Sequence, residues 1–458
     1  MHKELCMTAI TNSESGHVGR RVDPSKRRKA IVGAYQGLLV DFIDIYLPVI
    51  ALVPAIIYFQ PADLSPAMKS TIYFVTFAAT LLGRPIGALL FGSMADRIGR
   101  RRITMISVAG FSVCTLLIAF LPGYQTVGMW SIVLLVGLRF IDGIFLGGEY
   151  TAAVPLAYEY CDREKRGLVG GILAGAYCAA FVIISLVTLV MLRVAPAGGL
   201  DSPYVQWGWR IAFLFGAACG FAFLVYRRKH LPESDLWEES AKAKSPLRQV
   251  MFGSEKRSFW QVFVLMTGLW LTSSMVASVV PDKLKNFHKI DATTVTWALL
   301  VTNVVLYAGF VAAGVTSQRV GRRKFLTVMG FVIAVVGSAA YYIFMSDLIE
   351  GTLGIIAASI VVQVVISSVF GVATVYVNER FGTSVRSSGF AMGYSLSLLI
   401  PSFYSFYLLG LATFLPETVT AIPLIVVGGA LIVIGALWGP ETKDLEFRPT
   451  GRVEYAAE

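Results

Sequence analysis

Residues Gly137–Val154, GLRFIDGIFLGGEYTAAV, set Arg139, Asp142 and Glu149 inside an apolar run that extends from Ile132 to Tyr158. A second stretch, VDFIDIYLP at Val40–Pro48, adds Asp41 and Asp44. Carboxyl groups in such surroundings can load and release protons, and a guanidinium can neutralise a carboxylate or hold an anionic solute. At ~100° per residue on a helix, Arg139 and Asp142 lie about 60° apart, Asp142 and Glu149 about 20°, and Asp41 and Asp44 about 60°. Each set therefore shares one helix face. Turned to lipid, each charge would cost about 2.5–3.5 kcal/mol, so both faces must meet protein or a watery cavity. Gly143, Gly147 and Gly148 leave room for a neighbouring backbone to come close.

The elements that carry these residues are spans of a membrane protein. The chain has 458 residues, 56% hydrophobic and only 15% charged, where soluble domains carry nearer a quarter charged residues. The mean hydropathy of +0.68 agrees. Twelve apolar runs, near 31–57, 70–92, 103–121, 130–158, 167–192, 209–227, 259–281, 294–316, 325–345, 352–377, 388–411 and 420–438, are long enough to cross ~30 Å of hydrocarbon as helices. They are continuous rather than alternating, which excludes a β-barrel. The net charge of +10 does not point to nucleic acid. With twelve spans and an internal N-terminus, only Lys69, Arg193, Arg210, Lys283, Lys285 and Lys289 fall outside, the positive-inside pattern. The first 29 residues lack the apolar segment of a signal peptide and are expected to remain in the cytoplasm. The five Cys are scattered, and the four His fall in tails or loops, so neither a metal site nor a disulfide framework is expected.

The chain reads as a duplicated unit. GSMADRIGRRR (Gly92–Arg102) recurs as GVTSQRVGRRK (Gly314–Lys324), EYCDREKRG (Glu159–Gly167) as NERFGTSVRSSG (Asn378–Gly389), and LPESDLW (Leu231–Trp237) as GPETKDL (Gly439–Leu445). The expected organisation is a tail over 1–29, a six-helix bundle over 30–228, a linker over 229–258, a second bundle over 259–439 and a tail over 440–458, with both termini cytoplasmic.

These motifs give the chain a resemblance to major facilitator superfamily transporters, and to their metabolite:proton symporter branch. RPIGALLFGSMADRIGRRR (Arg84–Arg102), with its Arg-Pro, resembles the first cytoplasmic loop motif of that branch; Gly147–Gly167 and WGWRIAF (Trp207–Phe213) are similar to it too. LPES and PETK also resemble sugar porters. The resemblance implies an all-α fold of two six-helix bundles working by alternating access. It implies a cytoplasmic gate built from Arg84, Gly92, Asp96, Arg97, Gly99, Arg100, Arg101, Glu159, Arg166 and Glu233, with Arg322, Arg323, Glu379, Arg386 and Glu441 in the second half. Asp96 would contact the start of the eleventh helix near Ser387. Arg97, Arg100 and Arg101 would pair with Glu159 and Glu233, and Arg322 and Arg323 with Glu379 and Glu441. Exposed pairs of this kind contribute about 0–1 kcal/mol each, weak enough to break in every cycle. Ser317–Arg319 lacks the acid of the Asp96 position, so a symmetric second gate is not expected.

In the superfamily the first and fourth helices line one central cavity, and the match to sugar porters maps a proton-coupling pair onto Asp44 and Arg139. Counted at ~1.5 Å per residue, Asp44 and Asp142 are level, about 20–22 Å above the inner edge, and Arg139 at about 27 Å can reach down to both. Asp41 and Glu149, about 15 and 12 Å up, are placed to share a proton. Asp41, Asp44 and Glu149 are the proton-carrier candidates; the alternative for each is static pairing that orients helices. Tyr35, Gln36, Trp270, Asn303, Tyr307 and Tyr394 are candidate substrate contacts. Four acids against Arg139 would repel a bare carboxylate. The expected solute is thus an organic acid entering with protons, with a zwitterion such as a betaine, or a sugar, as the alternative. A drug exporter of this fold would carry a GPxxGG-like motif in its fifth helix, which here has no Pro. No nucleotide loop or nucleophile motif suggests an enzyme, and no cofactor is expected. The expectation is a monomeric inner-membrane symporter whose partners are a small solute, protons and lipid.

Overall fold

The computed structural model describes residues 24–61, 66–230 and 246–447, and among these every regular element is helical. In hydrocarbon every backbone N–H and C=O must be satisfied within its own segment, and a helix does this. Twelve segments carry the fold, labelled in chain order: α1 Pro24–Phe59, α2 Pro66–Ile98, α3 Arg100–Ala119, α4 Trp130–Glu159, α5 Arg166–Val194 and α6 Trp209–His230. The second half holds α7 Lys256–Lys285, α9 Arg322–Met345, α10 Thr352–Glu379 and α11 Thr383–Leu411, with α8 Ala292–Val320 and α12 Ile422–Trp438. All twelve expected runs are present. The helix of α1 begins at Pro24, inside the stretch read as a tail.

Local chemistry sets the ends and interruptions. Gly99 and Gly321 join α2 to α3 and α8 to α9 with φ of 106° and 99° and ψ of 145°, a conformation essentially confined to glycine. Asp291 caps α8 by accepting from the Thr294 N–H at 2.9 Å. α1 widens to a π turn at Pro48–Leu52 and tightens to a 3-10 turn over Val53–Phe59, where Pro48 and Pro54 withhold backbone donors. Its counterpart α7 is interrupted in the same way around Pro281, with π turns at Met275–Val279 and Lys283–Phe287.

Small residues set the packing within and between halves. Gly83 and Gly87 of α2 lie against the backbone of Phe140–Ile144, and Gly143 and Gly147 of α4 lie against that of Thr80 and Arg84. α5 and α8 meet backbone to backbone at Gly167 and Gly314, joining the two bundles. The outer surface stays apolar: Phe120, Val194, Val335, Phe406 and Leu409 are each 67–69% exposed. In water so large an apolar surface would drive association; against lipid it is the expected face.

Candidate functional site

Asp41 and Asp44 are buried on α1, and Arg139, Asp142 and Glu149 are buried on α4. Arg139 reaches both carboxylates of its level, with Nη1 at 3.2 Å from Asp44 Oδ2 and 2.8 Å from Asp142 Oδ2. Thr115 of α3 donates its hydroxyl to the other Asp44 oxygen. Three helices therefore converge on Asp44.

Two further ion pairs lie in the same bundle. Arg84 of α2 donates to Asp41 at 3.2 Å, so it belongs to this cluster and not to the gate. It precedes Asp96 by twelve residues, about 18 Å of helix. Arg227 of α6 donates to Glu149 at 3.2 Å. Glu149 also lies against Gly37, one turn below Asp41, where any Cβ would collide with its carboxylate. Asp41 and Glu149 thus each hold an arginine of their own. The cluster contains three arginines, not one, against four acids. Sequence reasoning missed Arg227 because it opens a basic run, Arg227–Arg228–Lys229, that reads as a topology anchor. The available signal was its position, one turn beyond Phe223, whose ring its guanidinium overlies at 5.5 Å. Asp41 Oδ1, Asp142 Oδ1 and Glu149 Oε2 are buried without a hydrogen-bond partner, leaving one carboxylate oxygen of each open to a proton.

Beside the acids stands an aromatic wall shared by both halves. Tyr150 of α4 stacks on Tyr394 and Phe390 of α11, with centroids 4.7 and 5.6 Å away, and the two tyrosine hydroxyls lie 2.9 Å apart. Trp270 of α7 stands edge-on to Tyr394 at 5.1 Å and donates its indole N–H to the Tyr394 carbonyl at 2.9 Å. Tyr46 and Tyr177 meet edge to face at 5.3 Å. Of the other candidates, Tyr35, Gln36 and Tyr307 are half-buried. The Tyr307 ring fills the space over Gly175, while Asn303 spends its amide N–H on the Leu299 carbonyl of its own helix. Tyr46, Tyr150 and Tyr177 were not singled out from sequence, since single tyrosines in apolar helices carry no spacing signal.

The basic ends of the helices hold the second cluster. Asp96 accepts from the backbone N–H of Ser387 at 3.2 Å and of Ser388 at 2.8 Å, and Gly92 brings α2 against the same turn of α11. An anion at a helix start meets both orphan donors and the positive end of the dipole. Glu159 grips two arginines, Arg100 of α3 and Arg386 of α11, the latter at 2.5 Å. Arg101 donates to the Arg228 carbonyl at 2.8 Å; Arg97 is exposed; Glu233 lies outside the described residues. In the second half Arg322 holds Glu379 at 3.0 Å. Glu441 accepts from the backbone N–H of Arg322 at 2.8 Å and Arg323 at 3.1 Å, so it binds the start of α9 much as Asp96 binds that of α11. The Arg323 side chain donates to the Leu437 carbonyl at 3.2 Å. Gln318 stands where an acid was missing, and its Oε1 accepts from Arg322 at 2.7 Å and from the Gly167 N–H of the first half at 3.1 Å. With Tyr158 and Thr374 hydroxyls 2.7 Å apart across the halves, the basic end is closed.

Two pseudo-repeated six-helix bundles, closed at one end over buried acids, define a membrane transporter. The family model for the Major Facilitator Superfamily matches residues 37–395, and the chain belongs to that family. It is 29% identical over 396 residues to the proline/betaine transporter of Escherichia coli (strain K12), covering 83% of this chain and 76% of that one. To the shikimate transporter of the same strain it is 27% identical over 429 residues, covering 89% and 93%. The structure of the proton:xylose symporter XylE bound to 6-bromo-6-deoxy-D-glucose shares the fold, with a TM-score of 0.73 at 18% identity over 93% of this chain and 98% of that one.

Proposed function

We propose that this protein imports a small carboxylate-bearing metabolite together with protons, by alternating access, and that the solute is a zwitterion. The observation that carries the reading is the charge of the buried cluster. Asp41, Asp44, Asp142 and Glu149 face Arg84, Arg139 and Arg227, which leaves one carboxyl in surplus. An uncompensated buried charge is expensive, so the cluster is neutral only when it holds a proton or a cationic group. A zwitterion brings its own cation, and the aromatic faces of Tyr150, Tyr394, Trp270, Tyr46 and Tyr177 suit a substituted ammonium. A simple organic acid would have to take Arg139 from Asp44 and Asp142. The interruptions of α1 and α7 at matching positions support a solute site between the halves. The relatives named for proline, betaine and shikimate support both solute classes, and the surplus acid favours the first. With the basic end taken as cytoplasmic, the closure described above is that of the outward-facing carrier.

The test is uptake into proteoliposomes of glycine betaine, proline and shikimate, with and without an inward proton gradient. Gradient-dependent uptake of the first two, at least tenfold above shikimate, is expected. Uptake indifferent to the gradient would overturn symport, and preference for shikimate would overturn the zwitterion.

A further inference from the structure

The chain does not leave the bundle after α12. Glu441 binds the start of α9, and Thr442 donates its hydroxyl to Glu379 at 2.7 Å. Both contacts stay within the second half. The next residues cross to the first: the Asp444 carbonyl accepts from Arg163 at 3.3 Å, and the Leu445 carbonyl from Arg166 at 2.6 Å. Phe447 then lies beneath two guanidiniums, those of Arg166 and Arg386, each with its central carbon 3.8 Å from the ring centroid. A flat ring has two faces to offer two guanidiniums. Arg166 opens α5 in the first half, and Arg386 follows the 3-10 turn that opens α11 in the second. Each also has an acid: Glu379 lies 3.9 Å from Arg166, and Glu159 lies 2.5 Å from Arg386.

We propose that Leu445–Phe447 is a latch of the inner gate, anchored on the second half through Glu441 and Thr442, with the Phe447 ring pinning Arg166 to Arg386. The inference rests on the alternating-access reading above. If the halves part at the basic end, Arg166 and Arg386 travel with different bundles, and the ring cannot follow both. Opening must break at least one cation–π contact and the two carbonyl bonds to Arg163 and Arg166. The ring matters for its two faces and not only for its volume. It also keeps two like charges apart while satisfying both, which an aliphatic side chain cannot do. The contacts that anchor the segment are unaffected by opening, so the latch can close again without a search.

The experiment uses the full chain in inside-out vesicles, with native cysteines replaced by Ser and one reporter, Thr374→Cys. Thr374 is 2% exposed and lies across the halves from Tyr158. The probe is a membrane-impermeant maleimide added from the basic side. Phe447→Ala is expected to speed labelling about tenfold, a shift of ~1.4 kcal/mol toward the open form. Phe447→Leu, which keeps the apolar volume, should label nearly as fast, and Phe447→Trp should return the slow wild-type rate. These two variants keep the test decisive should the alanine variant be unstable. Wild-type labelling in Phe447→Leu would reduce the ring to packing and overturn the latch. Labelling that answers to a proton gradient but not to Phe447→Ala would overturn the latch alone. Labelling indifferent to both would overturn the transport reading beneath it.

Discussion

At the scale of single residues, the acid–arginine cluster makes two claims that separate. Asp44 is bound by Arg139 and Thr115, so loss of its charge should uncouple transport without emptying the site. Asp44→Asn is expected to abolish gradient-driven accumulation while leaving exchange of preloaded solute; full accumulation would remove Asp44 from the mechanism. Glu149 and Arg227 pose a different problem, because each is fully buried against the other. Removing one partner strands a charge and costs about 3–5 kcal/mol, whereas replacing both by apolar residues of similar volume is often neutral. Arg227→Met should therefore lower the unfolding midpoint in detergent sharply, and Arg227→Met with Glu149→Met should restore it. A double variant as unstable as the single one would show that Arg227 has partners that matter more than Glu149. The residue types and faces of Asp41, Asp44, Arg139, Asp142 and Glu149 were readable because charges in apolar runs are conspicuous. Arg84 was expected in the gate because it lies in the loop-motif stretch, and Arg227 was not singled out, because sequence position alone does not show which carboxylate a guanidinium meets.

At the scale of elements, the legible part was length and repetition. A span needs about twenty apolar residues, and that requirement is written directly in the chain, so α1 to α12 all appear where expected. The interruptions of α1 and α7 were less legible, because Pro48, Pro54 and Pro281 do not by themselves distinguish a kink from a π turn. The paired motif glycines carry a sharper consequence. Gly99 and Gly321 occupy a backbone region that costs other residues about 1–3 kcal/mol. Gly99→Ala and Gly321→Ala should each lower stability by that amount in thermal unfolding, whereas Gly137→Ala, at an open helical site with nothing within 4 Å, should not. Equal tolerance at all three positions would remove the geometric reason for the repeated motif.

At the scale of the whole molecule, what the sequence could not supply was the set of contacts between halves, since none has a periodicity within one helix. The hydrogen bonds that join the bundles cluster at the basic end, and Asp96 carries two of them. Its carboxylate faces the start of α11, where charge-assisted bonds contribute about 1.5–3 kcal/mol each, and Arg100 lies 3.9 Å away. Asp96→Asn keeps one acceptor oxygen but loses the charge that the helix start and Arg100 favour. A loss of about 1–2 kcal/mol shifts the closed–open equilibrium by roughly 5–30-fold. Starting from a closed majority of about 99:1, the open form would rise to roughly 5–25%. Nitroxide labels at Lys165→Cys and Lys324→Cys, exposed positions on the two halves at the basic end, would report this as a second, longer distance in pulsed dipolar spectroscopy. Asp96→Glu keeps the charge but pushes a methylene into the contact made tight by Gly92, so it too should show the longer distance. A single unchanged distance in Asp96→Asn would mean that the closed end is held without Asp96, by contacts such as those of Glu159, Glu379 and their arginines, and that Asp96 serves only the fold of α11.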